Sequence, residues 1–176
     1  MYPNYNAGEI MQIIKNSIKK ELLNACNQEM DALISQRAWS SNQTTWDEGL
    51  FADVPGVCLS ADVSFLLERE IKKELSSHLP PHDKLTVNYN VWLKNSGIRW
   101  HTDANYAFGA TLYLNEWNKK WGGLFLWEDN EMKLHALCPE PGTLVINTEA
   151  ESHSVTQVSS TAPYPRRSLQ IWGTML

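Results

Sequence analysis

The stretch Thr86-Val87-Asn88-Tyr89-Asn90-Val91-Trp92-Leu93 alternates polar and apolar residues over most of its length. Successive side chains of an extended strand point to opposite faces, so such a stretch reads as a half-buried strand. The same grammar repeats towards the C-terminus. Thr111–Leu114, Leu124–Trp127 behind Gly122-Gly123, Met132–Leu137, Gly142–Asn147 behind a Pro139-Glu140-Pro141 turn, Ser152–Val158 and Arg166–Trp172 are further strand candidates. Roughly seven or eight short strands separated by turn residues predict a sandwich or barrel. Strands and helices do not alternate here, which disfavours a doubly wound parallel sheet.

Towards the N-terminus the period changes. Ile10, Ile14, Ile18, Leu22, Cys26 and Met30 recur every fourth residue, and Ile13, Leu23 and Leu33 widen the stripe. This predicts one long helix, or two joined ones, from Ala7 to Ser35. A second helix is expected to start at Ser60 as N-cap with Asp62 in its first turn. It would bury Val63, Leu67, Ile71, Leu75 and Leu79 and stop at Pro80-Pro81. The polar and aromatic residues 38–56 between the helices read as a long loop with room for one strand, either covering a site or forming a surface connection packed down by Trp39 and Trp46. The expectation is a single domain over residues 1–176, with residues 7–80 as helical support and loop and residues 84–174 as the strand-rich core.

The 176 residues, 43% hydrophobic and 20% charged, describe a globular chain large enough for a real core. The net charge of −5 and the dispersed lysine pairs give no footprint for nucleic acid. No apolar run is long enough to span a bilayer. The opening MYPNYNAGEI lacks the basic-then-apolar pattern of a signal peptide. Cys26, Cys58 and Cys138 are odd in number and lack C-x-x-C spacing, so they read as free thiols, which points to a cytoplasmic location. Oligomeric state is not legible in the sequence.

Chemistry-bearing residues collect in the second half. His101-Thr102-Asp103 is an H-x-D pair, and residues i and i+2 of an extended segment share a side. His153 follows about fifty residues later and Arg166 a short strand beyond it. Two imidazoles and one carboxylate can occupy one face of an octahedral iron and leave three positions open. An arginine at the right distance can hold an acidic co-substrate through a charge-assisted fork. That combination suggests an oxygenase that uses iron(II) and 2-oxoglutarate. Taken alone, the H-x-D pair reads equally as a loop histidine beside an N-capping or solvated aspartate.

The surrounding motifs extend the reading. WHTD at Trp100–Asp103, TLYLNEW at Thr111–Trp117, GGLFLWED at Gly122–Asp129, PEPGTLVIN at Pro139–Asn147, ESHSV at Glu151–Val155 and RRSLQIW at Arg166–Trp172 occur in order. Together they resemble the prolyl 4-hydroxylase-like branch of the 2-oxoglutarate/iron(II) dioxygenases, over about half the chain. The resemblance implies a mainly β, α+β fold: a double-stranded β-helix, or jelly roll, with the N-terminal helices packed on one outer sheet. It implies Fe(II) held by His101, Asp103 and His153, 2-oxoglutarate as co-substrate, and ascorbate in support. Arg166 matches the residue that pairs with the far carboxylate of 2-oxoglutarate, and Ser168 shares its face. Tyr113 matches a tyrosine that hydrogen-bonds the same carboxylate, with a core aromatic as the alternative reading. Tyr89 matches a further pocket residue, across a stretch to His101 that is longer than in relatives. No catalytic group beyond the metal centre is implied, since the cofactor carries the hard step.

Relatives often carry a basic residue shortly before the T-x-Y-L-N strand, where this chain has Ala104–Gly109. That departure bears on substrate rather than on metal. Leu112, Leu114, Leu124, Val155 and Trp172 are candidate walls of the pocket. Three readings follow. The first is a hydroxylase of a peptidyl residue such as proline. The second uses the same chemistry on a free small molecule. The third is a non-catalytic jelly-roll binding module.

Overall fold

A computed structural model describes residues 11–36, 39–41, 58–148 and 151–176. The loop expected over residues 38–56 lies almost wholly outside the described residues, and so does the question of whether it covers a site. Among the described residues the strands and α-helices run in the order β1 (Met11–Ile14), α1 (Lys20–Ser35), β2 (Ser40–Ser41), β3 (Cys58–Asp62), α2 (Phe65–Leu75), β4 (Lys84–Trp92), β5 (Ile98–His101), β6 (Phe108–Tyr113), β7 (Phe125–Glu128), β8 (Leu134–Leu137), β9 (Leu144–Asn147), β10 (His153–Val155) and β11 (Arg166–Thr174), with a 3-10 turn at Lys119–Trp121 before β7.

The strands form two antiparallel sheets. The larger has the order β1-β9-β6-β11-β4-β3-β2, and the smaller β5-β10-β7-β8. Consecutive strands repeatedly land in different sheets, as a jelly roll requires. The long strand β11 lies at the centre of the larger sheet. It pairs with β4 over nine residues, Arg166 opposite Trp92 through Thr174 opposite Lys84, and with β6 on its other side.

Each face of the larger sheet has its own core. Val87, Tyr89 and Val91 of β4, Leu112 of β6, and Leu169 and Ile171 of β11 pack with Cys26, Met30, Ile71 and Leu75 of the two helices. On the other face Trp92, Tyr113 and Val145 meet Ile98, Phe125 and Val155 of the smaller sheet. A double-stranded β-helix with helices on one outer sheet is therefore the architecture. The alternation in β11 sends Leu169 and Ile171 to the helices and leaves Arg166, Ser168, Gln170 and Trp172 for the space between the sheets.

Two helical expectations are corrected. Residues 11–14 form an edge strand on β9, with Met11 opposite Asn147, instead of the first turns of a helix. Asn16 takes a left-handed φ of 54°, and the Ser17 N–H and hydroxyl both donate to Gly142 O at 2.9 and 3.0 Å. Pairing with an open sheet edge outweighs an apolar stripe of helical period, because tertiary contacts override weak local preference. The second helix starts at Phe65 after Ser64, because residues 58–62 are committed to pairing with β4. It ends at Leu75 rather than at Pro80-Pro81.

Candidate active site

The smaller sheet closes the gap of about fifty residues between the two histidines. His101 ends β5, His153 begins β10, and the two are directly opposite in the antiparallel register. Their ring centroids are 4.2 Å apart. Asp103 follows two residues after His101, with Oδ1 3.9 Å from His101 Nε2 and Oδ2 3.4 Å from His153 Nε2. The three ligand atoms lie within 4.8 Å of one another. Gly109 makes room for this carboxylate: a Cβ there would sit 2.8 Å from Asp103 Oδ2 and 2.9 Å from Trp172 Cζ3.

Backbone carbonyls fix both imidazoles. His101 Nδ1 is 2.7 Å from Arg99 O, and His153 Nδ1 is 2.8 Å from Glu151 O. A carbonyl only accepts, so each Nδ1 carries the proton and each Nε2 turns a lone pair towards the point that Asp103 also faces. Asn147 braces Glu151 from both sides, accepting from its N–H and donating to its carbonyl, each at 3.1 Å. Burial, and then the neighbouring His101, hold the His153 pKa down at about 4. Burial raises that of Asp103, against the opposing pull of His101. Two imidazoles and a desolvated carboxylate converging on one point are the donor set a divalent cation completes. Mixed N and O donors suit iron(II).

The second half of the site lies on β11. Arg166 is 2% exposed and turns inward. Its guanidinium carbon lies 4.8 Å from the Trp92 ring centroid and 5.5 Å from that of Tyr113, and Nη1 donates to Gly123 O at 2.7 Å. Burial lowers its pKa, opposed by Tyr113 and Cys58. Among the described residues Arg166 has no carboxylate partner, and its Nε lacks a hydrogen bond. The Ser168 hydroxyl, also buried, lacks one too. Ser168 sits opposite Tyr113 in the β6–β11 register, and burial pushes the Tyr113 phenol up to about 12. A buried guanidinium with an idle donor beside an idle hydroxyl is what a carboxylate-bearing ligand would satisfy. Arg167 points the other way, donating to Asn27 Oδ1 at 3.3 Å and to Asp31 at 2.5 Å on α1.

Both halves line one cleft of about 460 Å³, which His101, Asp103, His153, Tyr113, Arg166 and Ser168 share. Tyr89 is not among its walls. It faces the helices, and its hydroxyl donates to Glu29 Oε2 at 2.7 Å. Alternation along β4 puts Asn90 and Trp92 on the inner face and Tyr89 on the outer, so Tyr89 as a pocket residue is corrected. Leu112 and Leu114 likewise belong to the helix-side core, and Leu124 is not among the cleft residues, whereas Val155 and Trp172 do line the cleft. Sequence reasoning missed the carbonyl of Gly123, the brace from Asn147 and the close approach at Gly109. The tandem Gly122-Gly123 was the one available signal, and both residues adopt positive φ, 67° and 62°.

Residues 86–174 match the family model described as the 2OG-Fe(II) oxygenase superfamily. No curated protein is matched by sequence. Solved structures agree in fold. A prolyl-4-hydroxylase from Pseudomonas putida superposes with a TM-score of 0.72 at 16% identity, covering 97% of this chain and 95% of that one. A Trichoplax adhaerens prolyl hydroxylase, in complex with a peptide fragment of the hypoxia inducible factor oxygen degradation domain, gives 0.73 at 15% identity over 94% and 83%. HygX from Streptomyces hygroscopicus, with nickel, 2-oxoglutarate and hygromycin B bound, gives 0.67 at 11% identity over 94% and 83%.

Proposed function

Because this chain belongs to the 2OG-Fe(II) oxygenase superfamily, we propose that it hydroxylates an unactivated C–H bond, on a peptidyl residue such as proline. His101, Asp103 and His153 would hold Fe(II), and Arg166, Ser168 and Tyr113 would hold 2-oxoglutarate. Iron(II) and this co-substrate together supply dioxygen activation, coupled to decarboxylation of the 2-oxo acid to succinate and carbon dioxide. The chain itself supplies geometry. Nδ1–H bonds to Arg99 O and Glu151 O hold both imidazoles in the tautomer that can ligate. Arg166, pinned by Gly123 O and flanked by Trp92 and Tyr113, gives one buried positive charge in a fixed place. Phe125 stacks on His153 with centroids 5.2 Å apart, and with Val155 it gives the site an apolar wall.

The observation that carries the reading is the buried Arg166, its Nε idle beside an idle Ser168 hydroxyl, in the same cleft as a triad of metal-ligand character. A desolvated cation in the core costs several kcal/mol unless an anion answers it, which supports an acidic ligand beside the triad. The likeness to HygX, whose structure holds hygromycin B, supports the second reading, a free small molecule as substrate. The test is succinate release from 2-oxoglutarate by purified protein with iron(II) and ascorbate under air. Turnover that needs iron and disappears in His101→Ala supports the proposal. Neither turnover nor co-substrate binding would favour the module. A proline-rich peptide that gains one oxygen in mass spectrometry separates the peptidyl reading from the small-molecule one.

A further inference from the structure

The direction of a carbonyl is set by its peptide plane, and glycine gives that plane little preference of its own. The Arg166 guanidinium is held by the carbonyl of Gly123, which accepts from Nη1 at 2.7 Å. Gly122 and Gly123 both have positive φ, and Gly122 combines its φ of 67° with a ψ of −148°. That pair of angles lies close to a backbone region that glycine alone adopts. Local sterics therefore do not decide where Gly123 O points.

Hydrogen bonds around the two glycines decide it. The Gly123 carbonyl and the Leu124 N–H belong to one peptide plane. The Leu124 N–H donates to the Thr156 hydroxyl at 2.9 Å, and the Thr156 N–H donates back to Leu124 O at 3.0 Å. The preceding plane joins the Gly122 carbonyl to the Gly123 N–H. That carbonyl accepts from Trp117 Nε1 at 2.8 Å, and that N–H donates to Gln157 O at 3.0 Å. Two successive planes are thus gripped at both ends. Apart from Arg166 itself, the side chains that grip them are Thr156 and Trp117. Neither lines the cleft. Trp117 is 8% exposed and packs edge-on against Trp121, with centroids 5.5 Å apart. Thr156 directly follows β10, three residues after His153. The strand that carries one metal ligand therefore also carries the hydroxyl that orients the carbonyl behind Arg166.

We propose that Thr156, seconded by Trp117, is a positioning residue for the co-substrate. It fixes Gly123 O, and through it the angle at which Arg166 meets the far carboxylate. This rests on the oxygenase reading, in which Arg166 holds 2-oxoglutarate. A guanidinium must meet a carboxylate in a set orientation to use two donors at once. With the carbonyl loose, the guanidinium gains a second resting place, and whatever population it holds there is lost to binding.

The test is a calorimetric titration of zinc-loaded protein, which holds the site without turnover, with 2-oxoglutarate. Thr156→Val keeps the shape, removes the hydroxyl and should weaken binding about tenfold. Thr156→Ser returns the hydroxyl and should stay within about twofold of the parent protein. Trp117→Phe keeps a ring, removes the indole N–H and should repeat the valine result, which covers a valine variant that fails to fold. In an Arg166→Ala background Thr156→Val should cost less than about twofold, because its effect runs through Arg166. A general loosening of the site would weaken both backgrounds alike. Zinc affinity should stay within about threefold in each variant, since Glu151 O fixes the His153 ring. Undiminished 2-oxoglutarate affinity in Thr156→Val or Trp117→Phe overturns the inference. So does a serine variant as weak as the valine one, or an equal loss in the Arg166→Ala background. A parent protein that binds no 2-oxoglutarate at all strikes the oxygenase reading itself, and this inference with it.

Discussion

A guanidinium sealed from water is costly to keep unless something answers its charge. Arg166 is partly answered by two aromatic faces and one carbonyl, and its buried Nε is left without a partner. Arg166→Ala is expected to weaken 2-oxoglutarate binding by about 3–5 kcal/mol, the order found when one partner of a buried ion pair is removed. Arg167→Ala, which removes a contact to α1, should leave that affinity within about twofold, because its side chain lies on the opposite face of β11. Calorimetric titration of both variants checks this, and the opposite ranking would exchange their roles. A second residue-level expectation concerns Asn147. It touches the Glu151 backbone, whose carbonyl fixes the His153 tautomer. Asn147→Ala should cost about 10–100-fold in metal affinity, as loss of groups supporting a ligand does. Unchanged metal affinity in that variant would show that the brace is not needed. At this scale the sequence was partly legible. Alternation along β11 separates Arg166 from Arg167, and the i, i+2 rule joins His101 to Asp103. Which face of β4 looks inward is decided by the helices behind it, and there Tyr89 was misplaced.

Between residues and molecule stand turns whose conformation fixes a functional atom. The Gly122-Gly123 pair turns the chain into β7 with two positive φ values and delivers the Gly123 carbonyl to Arg166. A Cβ on Gly123 would lie 3.3 Å from both Arg166 Cδ and Val158 Cγ2, at a φ that side chains rarely adopt. Gly123→Ala should therefore destabilise the fold by about 1–3 kcal/mol, which for a chain of this size lowers Tm by about 2–4 °C per kcal/mol. It should also weaken 2-oxoglutarate binding while metal affinity stays within about threefold, because the triad hangs on β5 and β10. A thermal scan paired with the two titrations reads all three, and a loss of metal affinity as large as that of co-substrate would contradict the separation. Elements differ in how plainly the sequence announces them. β4 shows its two-residue period over most of its length and β11 over its middle. β1 hid inside a helical stripe, because a short edge strand is held by its sheet neighbour rather than by its own pattern, and β3 took over the expected start of the second helix by pairing with β4.

In the whole molecule, the larger sheet keeps two tasks apart. Its outer face is a conventional core against α1 and α2. Its inner face, opposed by the smaller sheet, combines apolar packing with the cleft that holds the triad and Arg166. Strand order achieves this: antiparallel pairing of β10 with β5 brings His153 to His101, while β11, central in the other sheet, brings Arg166 up from the opposite side. The distances along the chain are long, so the sequence showed the ingredients, whereas the fold set their spacing. The most direct measurement is a crystal structure of the protein soaked anaerobically with iron(II) and 2-oxoglutarate. The account predicts one iron bound by His101 Nε2, Asp103 and His153 Nε2, with the far carboxylate of the acid on Arg166 and Ser168. An ion bound elsewhere, or an acid whose carboxylates ignore Arg166, would contradict it.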